Sequence, residues 1–211
     1  MSLRLYSYFR SSAAFRVRIA LHYKGLPFEY LGVNLLKGEQ RSTAYTRLNP
    51  QGLVPALEID NGLLLNQSSA ILEWLEETYP EPALLPRDSW QRAKVRSWCN
   101  LIACEVHPLN NLRVQQYLSR ELQISDEQKQ AWISHWMAEG FQALEQEVSA
   151  APFCLGENLS LADLYLIPQI FNALRFKVDM NPYPKLMAIF HHCQALPAFA
   201  QAWPDQQPDA I

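Results

Sequence analysis

Leu3-Arg4-Leu5-Tyr6-Ser7-Tyr8 alternates apolar and polar positions, which predicts a strand. From Ala13 to Lys24 the apolar residues follow a helical period, stopped by Gly25 with Pro27 just beyond. Phe28 to Val33 reads as a second strand, and Gln40 to Arg47 as a short helix ahead of Asn49-Pro50-Gln51-Gly52. Val54 to Ile59 and Leu63 to Leu65 form a hairpin pattern around Asp60-Asn61-Gly62. Ser68 to Thr78 is helical and ends before Pro80. The order is β-α-β-α-β-β-α, with the last two strands antiparallel. Tyr79 to Pro86 then carries Pro80, Pro82 and Pro86, and proline both blocks a helix and stiffens a connector. Beyond it the period is almost wholly helical: Gln91 to Cys104 with a break at Pro108, Asp126 to Ala150, Ser160 to Asn172, and Lys185 to Leu196 after Pro184. These patterns predict an α/β domain over 1–80, a linker over 81–88 and an all-helical domain over 89–211.

Composition narrows the class. Hydrophobic residues make up 49% of the 211, enough for a sizeable core, and 18% are charged. The net charge of −3 with no basic run gives no reason to expect nucleic acid. No apolar stretch approaches the ~18 residues of a membrane-spanning helix, and the N-terminus lacks a signal-peptide core. A soluble cytoplasmic protein is the expectation. Cys99, Cys104, Cys154 and Cys193 include no Cys-x-x-Cys pair, so reduced, buried thiols are expected. His191-His192-Cys193 is the nearest approach to a ligand cluster, but adjacent helical residues point in different directions, and no metal site is expected.

Three segments carry chemistry. In Tyr8-Phe9-Arg10-Ser11-Ser12-Ala13-Ala14-Phe15-Arg16-Val17-Arg18, two hydroxyls and three arginines sit where a strand hands over to a helix. A helix start exposes unpaired N–H groups and partial positive charge, so Ser11 or Ser12 suits either an N-cap or an anion such as a thiolate. Arg16 and Arg18 are placed on the outer face of that helix or against the second domain, outside catalysis. Val54-Pro55 occupies the position of the cis-proline in a thioredoxin-like order, where the preceding backbone pairs with a bound peptide; the alternative is a trans proline at a strand edge. Gln67-Ser68 opens the third helix, with Ser68 a plausible N-cap and the helix start suited to a carboxylate. A fourth motif, Ser160 with Asp163 between Leu159 and Leu164, is a capping box with a hydrophobic staple and serves folding alone.

Together these features resemble the glutathione transferase family over essentially the whole chain. Tyr8 to Leu21, Asn172 to Asp179, Pro182-Tyr183-Pro184 and Gln207-Pro208-Asp209 are similar specifically to its zeta class, which includes maleylacetoacetate and maleylpyruvate isomerases. The resemblance implies a thioredoxin-like N-terminal domain, an all-α C-terminal domain, glutathione as cofactor and a homodimer. It further implies Ser12 or Ser11 at the glutathione thiolate and Val54 ahead of Pro55 on the cysteinyl backbone. Gln67 and Ser68 fall on the γ-glutamyl carboxylate, with Gln40, His107, Asn110 and Asn111 as further cofactor contacts. For a small dicarboxylate substrate, Arg175 is the first choice, Arg10 the second, and Arg113 a candidate for a second acid group. One departure is Ala13, where the class pattern has cysteine. The implied activity is cis–trans isomerisation of a maleyl diacid in aromatic catabolism, of maleylacetoacetate or maleylpyruvate. The alternatives are a transferase that conjugates electrophiles and a non-catalytic interaction module.

Overall fold

The computed structural model describes residues 2–60, 62–149 and 152–210. The chain divides into two compact units, one of residues 1–84 with 194–211 and one of residues 85–193.

The first unit is built on a four-stranded sheet. Strand β1 (Leu3–Ser7) has the alternating burial its sequence predicts, with Leu3, Leu5 and Ser7 inward. Helix α1 (Ser12–Tyr23) follows, and Gly25 at φ +63° ends its last turn as a left-handed residue. Strand β2 (Glu29–Gly32) pairs parallel to β1, as a crossover through a helix requires. The expected Gln40–Arg47 helix is instead a 3₁₀ turn, Glu39–Arg41, and a separate helix α2 (Thr43–Leu48). Ser42 divides them because its Oγ accepts from the Tyr45 N–H and starts a new cap. Strands β3 (Ala56–Ile59) and β4 (Leu63–Asn66) form the antiparallel hairpin, giving the order β2-β1-β3-β4; Asn61 of the expected turn lies outside the described residues. Helix α3 (Ser68–Thr78) closes the β-α-β-α-β-β-α order, matching the expected thioredoxin-like arrangement.

The second unit is helical. Helix α4 (Ser89–Asn100) is followed without a break by a π-wound segment, Leu101–Val106, and a 3₁₀ turn, Pro108–Asn110. Helices α5 (Leu112–Arg120), α6 (Asp126–Glu147), α7 (Leu161–Arg175) and α8 (Pro184–Gln194) complete it. Helix α6 stops at Glu147, short of the expected Ala150, which lies outside the described residues. The capping box at α7 is present: the Ser160 N–H donates to Asp163 Oδ2 at 2.8 Å.

The C-terminal segment does not stay with the helical domain, as a division at 89–211 has it. Helix α9 (Pro197–Ala202) packs on α1 in the first unit. Arg18 makes that attachment. It is fully buried and its Nε donates to the Ala202 carbonyl at 3.0 Å. No described helix is long and apolar enough to cross a membrane.

Candidate active site

The loop between β1 and α1 is wound tightly: the Ser11 N–H donates to the Tyr8 carbonyl at 2.9 Å. Ser11 is the N-cap of α1, and its Oγ accepts from the Ala14 N–H at 3.2 Å. A hydroxyl that accepts one bond still has a proton to donate. Ser11 is half-buried, whereas Ser12, the other serine the sequence offers for the thiolate, is 3% exposed. The reachable hydroxyl at this helix start is therefore that of Ser11. Arg10 is exposed, with its guanidinium 4.8 Å from the centre of the Phe9 ring. Arg16 and Arg18, expected on the outer face of α1 or against the second domain, are both buried, and Arg18 reaches Ala202, which the expected 89–211 division counts with that domain. Arg16 Nη1 donates to Ser68 Oγ at 3.3 Å and joins α1 to the start of α3. Burial lowers the Arg18 guanidinium to about 10, opposed by the nearby Tyr30 and Asp209.

Val54 meets this loop through packing. Tyr8, Phe9, Val33, Tyr45 and Val54 form one buried cluster. The Val54-Pro55 bond is cis, the geometry the thioredoxin-like order implies. The preceding carbonyl, Leu53, is held from two sides, by the Tyr45 hydroxyl at 2.7 Å and Asn49 Nδ2 at 2.8 Å. That fixes the backbone at the approach to Val54. Gly52, at φ +61°, lies against the Gln40 carbonyl, where an added Cβ would stand 3.1 Å away. Gln40 is buried, and its Oε1 has no hydrogen-bond partner among the described residues. An orphaned buried acceptor beside an anchored loop fits a ligand that brings an N–H group.

Gln67, not Ser68, is the N-cap position of α3, and it holds φ +69°, uncommon for a non-glycine residue. Ser68 is the first helical residue and is buried. The expected N-cap at Ser68 is therefore displaced by one position, because Ser68 Oγ instead accepts from Arg16. The Gln67 amide donates from Nε2 to Gln51 Oε1 at 2.6 Å. Asn66 is tied to both Asn49 and Gln51. Within the first unit, these bonds connect Asn66 and Gln67 to the loop that leads to Val54, while Ser68 is tied to α1 through Arg16.

The remaining sequence-predicted residues belong to the second unit. His107 follows the π-wound segment, and its N–H donates to the Ile102 carbonyl at 2.8 Å, five residues back. Asn110 is buried and its Nδ2 donates to the Val106 carbonyl at 3.0 Å; Asn111 Oδ1 accepts from the Val114 N–H and caps α5. Each of these bonds is local, and Asn110 Oδ1 is buried with no hydrogen-bond partner among the described residues. Arg113 is exposed in the first turn of α5. Arg175 is the last residue of α7, exposed, 4.1 Å from the centre of the Phe176 ring and with Nη2 donating to Asn172 Oδ1 at 3.4 Å. Cys99, Cys154 and Cys193 are buried free thiols, and Cys104 is exposed. Burial pushes the Cys154 and Cys193 thiols up, away from the nucleophilic anion. Among the described residues no three His, Cys, Asp or Glu side chains group as metal ligands.

Family profiles match residues 10–78 as a glutathione S-transferase N-terminal domain and residues 125–197 as a glutathione S-transferase C-terminal domain. The probable maleylacetoacetate isomerase of Vibrio cholerae serotype O1 is 50% identical over 214 residues, spanning 100% of this chain and 99% of its own. A bacterial zeta-class glutathione S-transferase, maleylpyruvate isomerase in its holo form, superimposes with a TM-score of 0.95 at 43% identity, over 99% of this chain and 100% of that one. The maleylacetoacetate isomerase of Anaeromyxobacter dehalogenans, solved with glutathione in its active site, superimposes with a TM-score of 0.90 at 46% identity, over 100% and 98% of the two chains. The same enzyme solved with dicarboxyethyl glutathione and citrate gives 0.89 at 44% identity, over 100% and 94%. With both domains matched and relatives this similar over the whole length, the chain belongs to the glutathione S-transferase family, in its zeta class.

Proposed function

We propose that this protein is a glutathione-dependent cis–trans isomerase of maleyl diacids, converting maleylacetoacetate to fumarylacetoacetate. The observation that carries the reading is the half-buried Ser11 hydroxyl at the start of α1, in a loop packed against Val54. The relatives support the substrate class, since one of them holds a dicarboxyethyl conjugate of glutathione.

Bound glutathione supplies a thiolate that adds to the cis double bond and leaves again once the resulting single bond has rotated. The chain's own residues do the rest. The Ser11 hydroxyl donates to the sulfur, and the N-terminus of α1 adds partial positive charge, so the anion is favoured and the thiol pKa falls. Val54 pairs its backbone with the cysteinyl peptide, as a strand edge does with an added segment. Gln40 Oε1 accepts from a ligand N–H. Gln67 and Ser68 at the start of α3 receive the γ-glutamyl carboxylate. Arg10 is a cation available to a substrate carboxylate on this unit. Arg175 and Arg113 are the carboxylate ligands we assign to the helical unit, with His107, Asn110 and Asn111 as further cofactor contacts. Ala13 in place of the class cysteine leaves this chemistry intact, because the reacting sulfur is the cofactor's. We assign the protein to the cytoplasm, to the breakdown of aromatic compounds and to a homodimeric state.

The test follows maleylacetoacetate and maleylpyruvate separately, with and without glutathione, while free thiol is titrated. Glutathione-dependent loss of the cis acid at constant thiol is the expected result, faster with maleylacetoacetate. Falling thiol would instead identify a conjugating transferase. Absence of turnover with weak glutathione binding would overturn the enzymatic reading in favour of an interaction module.

A further inference from the structure

Phe9 is two residues ahead of Ser11, and its backbone is held at both the N–H and the carbonyl. Its N–H donates to Asp209 Oδ2 at 3.1 Å, and its carbonyl accepts from Arg18 Nη2 at 3.0 Å. Arg18 Nη1 also donates to Ser7 Oγ at 3.1 Å and reaches the Tyr8 carbonyl at 3.4 Å. The second oxygen of Asp209 accepts from the Tyr30 hydroxyl at 2.5 Å. Two donors thus converge on one carboxylate, a group with acceptors only, near the positive charge of Arg18. A Cβ on Gly32 would stand 3.4 Å from Asp209 Cβ, so β2 lies close to the aspartate. The tail that carries it is itself fixed. Gln207 Nε2 donates to the carbonyls of Gln201 and Trp203, and Ala210 packs on the Tyr8–Val54 cluster.

These bonds connect the 207–210 segment to the loop whose placement decides where the Ser11 hydroxyl points. We propose that Asp209 is a positioning residue for the reaction, its carboxylate holding the Phe9 peptide, against Arg18, at the setting that aims Ser11 at the cofactor sulfur. Asp209 touches neither substrate nor sulfur. It acts through the backbone of the Phe9–Ser11 loop. The inference rests on the reading of Ser11 as the thiolate donor and names the device that sets it. A displacement of about 1 Å in a positioned group is enough to cost one to two powers of ten in rate.

Asp209→Ala tests it, with the pKa of glutathione bound to the enzyme read from the ultraviolet absorbance of the thiolate. The expected result is a bound-thiol pKa raised toward that of free glutathione and kcat lowered about tenfold, with glutathione affinity changed less than about threefold. A merely structural aspartate would lower the melting temperature and leave the bound-thiol pKa and kcat of the folded fraction where they were, and that outcome overturns the proposal. Asp209→Asn keeps the size and one acceptor but removes the charge and the second acceptor. It is expected to fall between wild type and Asp209→Ala in both readouts. Should Asp209→Ala not fold, an Asp209→Asn variant equal to wild type in both would overturn the proposal alone. A wild-type enzyme that leaves the bound thiol at the pKa of free glutathione would remove the Ser11 reading first, and this inference with it.

Discussion

Ser11 and Ser12 are neighbours in sequence and opposites in setting. A one-residue step turns a side chain by about 100° around a helix, which separates a capping hydroxyl on the rim from one turned into the core. Two substitutions separate their roles. Ser11→Ala removes the donor proposed for the thiolate and is expected to lower kcat by about a hundredfold, with a further ~1 kcal/mol of stability lost with the cap. Ser12→Ala removes a buried hydroxyl and is expected to lower the melting temperature while kcat stays within a few-fold of wild type. Steady-state kinetics alongside thermal unfolding checks both, and a larger kcat loss for Ser12→Ala would return the role to that residue. The sequence contained both serines but not the rotation that distinguishes them. The full burial of Arg16 and Arg18 was not legible either, because charged side chains are rarely fully buried unless their donors are matched. Arg18 is buried because four acceptors surround it: Ala202 O, Ser7 Oγ, Tyr8 O and Phe9 O.

At the scale of elements, local chemistry made most boundaries legible. Gly25 ends α1, and Ser160 with Asp163 starts α7, each through a residue whose effect is confined to one turn, whereas α5 and its Asn111 cap were not expected. The π-wound segment after α4 carries no such signal, since its apolar residues still fit a helical period; the bond from the His107 N–H to Ile102, five residues back, shows the wider winding. Contacts between helices are likewise invisible to periodicity, and the pair of α4 and α6 gives a test. Glu147 accepts from Lys94 and, at Oε2, from Trp98 Nε1 at 2.9 Å. Those donors, Lys94 first, hold its carboxyl below the ordinary glutamate range. A folded-state pKa lower than the unfolded one means stability that is present above the unfolded value and lost as pH falls through the folded one. Glu147→Gln is therefore expected to lower the urea midpoint at neutral pH and to leave it nearly unchanged near ~pH 3. Both partners are partly exposed, so the neutral-pH loss should stay under about 1 kcal/mol. Equal losses at the two pH values would refute the ionic origin.

At the scale of the molecule, the proline-rich connector announced where one unit gives way to the other, because three prolines in eight residues fit no regular element. The return of the tail to the first unit was not legible, since Asp209 and Phe9 are 200 positions apart and nothing periodic links them. The proposed homodimer is no more legible, since it would depend on surfaces that no pattern within one chain explains. On the second unit, Ser89, Arg92, Ala93, Arg96, Ser97 and Asn100 line one face of α4 around a shallow cavity of about 550 Å³. Trp90 stands 77% exposed beside them, one turn from Ala93 and two from Ser97. Ser89, Ala93 and Ser97 are small enough for another helix to approach between Arg92 and Arg96, and an indole left in water costs free energy that burial against a second copy would recover. A symmetric dimer meets both conditions with one patch, because a two-fold axis presents the same face twice. Light scattering during size exclusion is thus expected to give twice the chain mass of 24.3 kDa. Trp90→Lys, which places a strongly hydrated charge on that patch, should shift the equilibrium toward monomer without unfolding the chain. A monomeric wild type at assay concentration would count against the homodimer itself. A dimer insensitive to Trp90→Lys would move the interface to another surface.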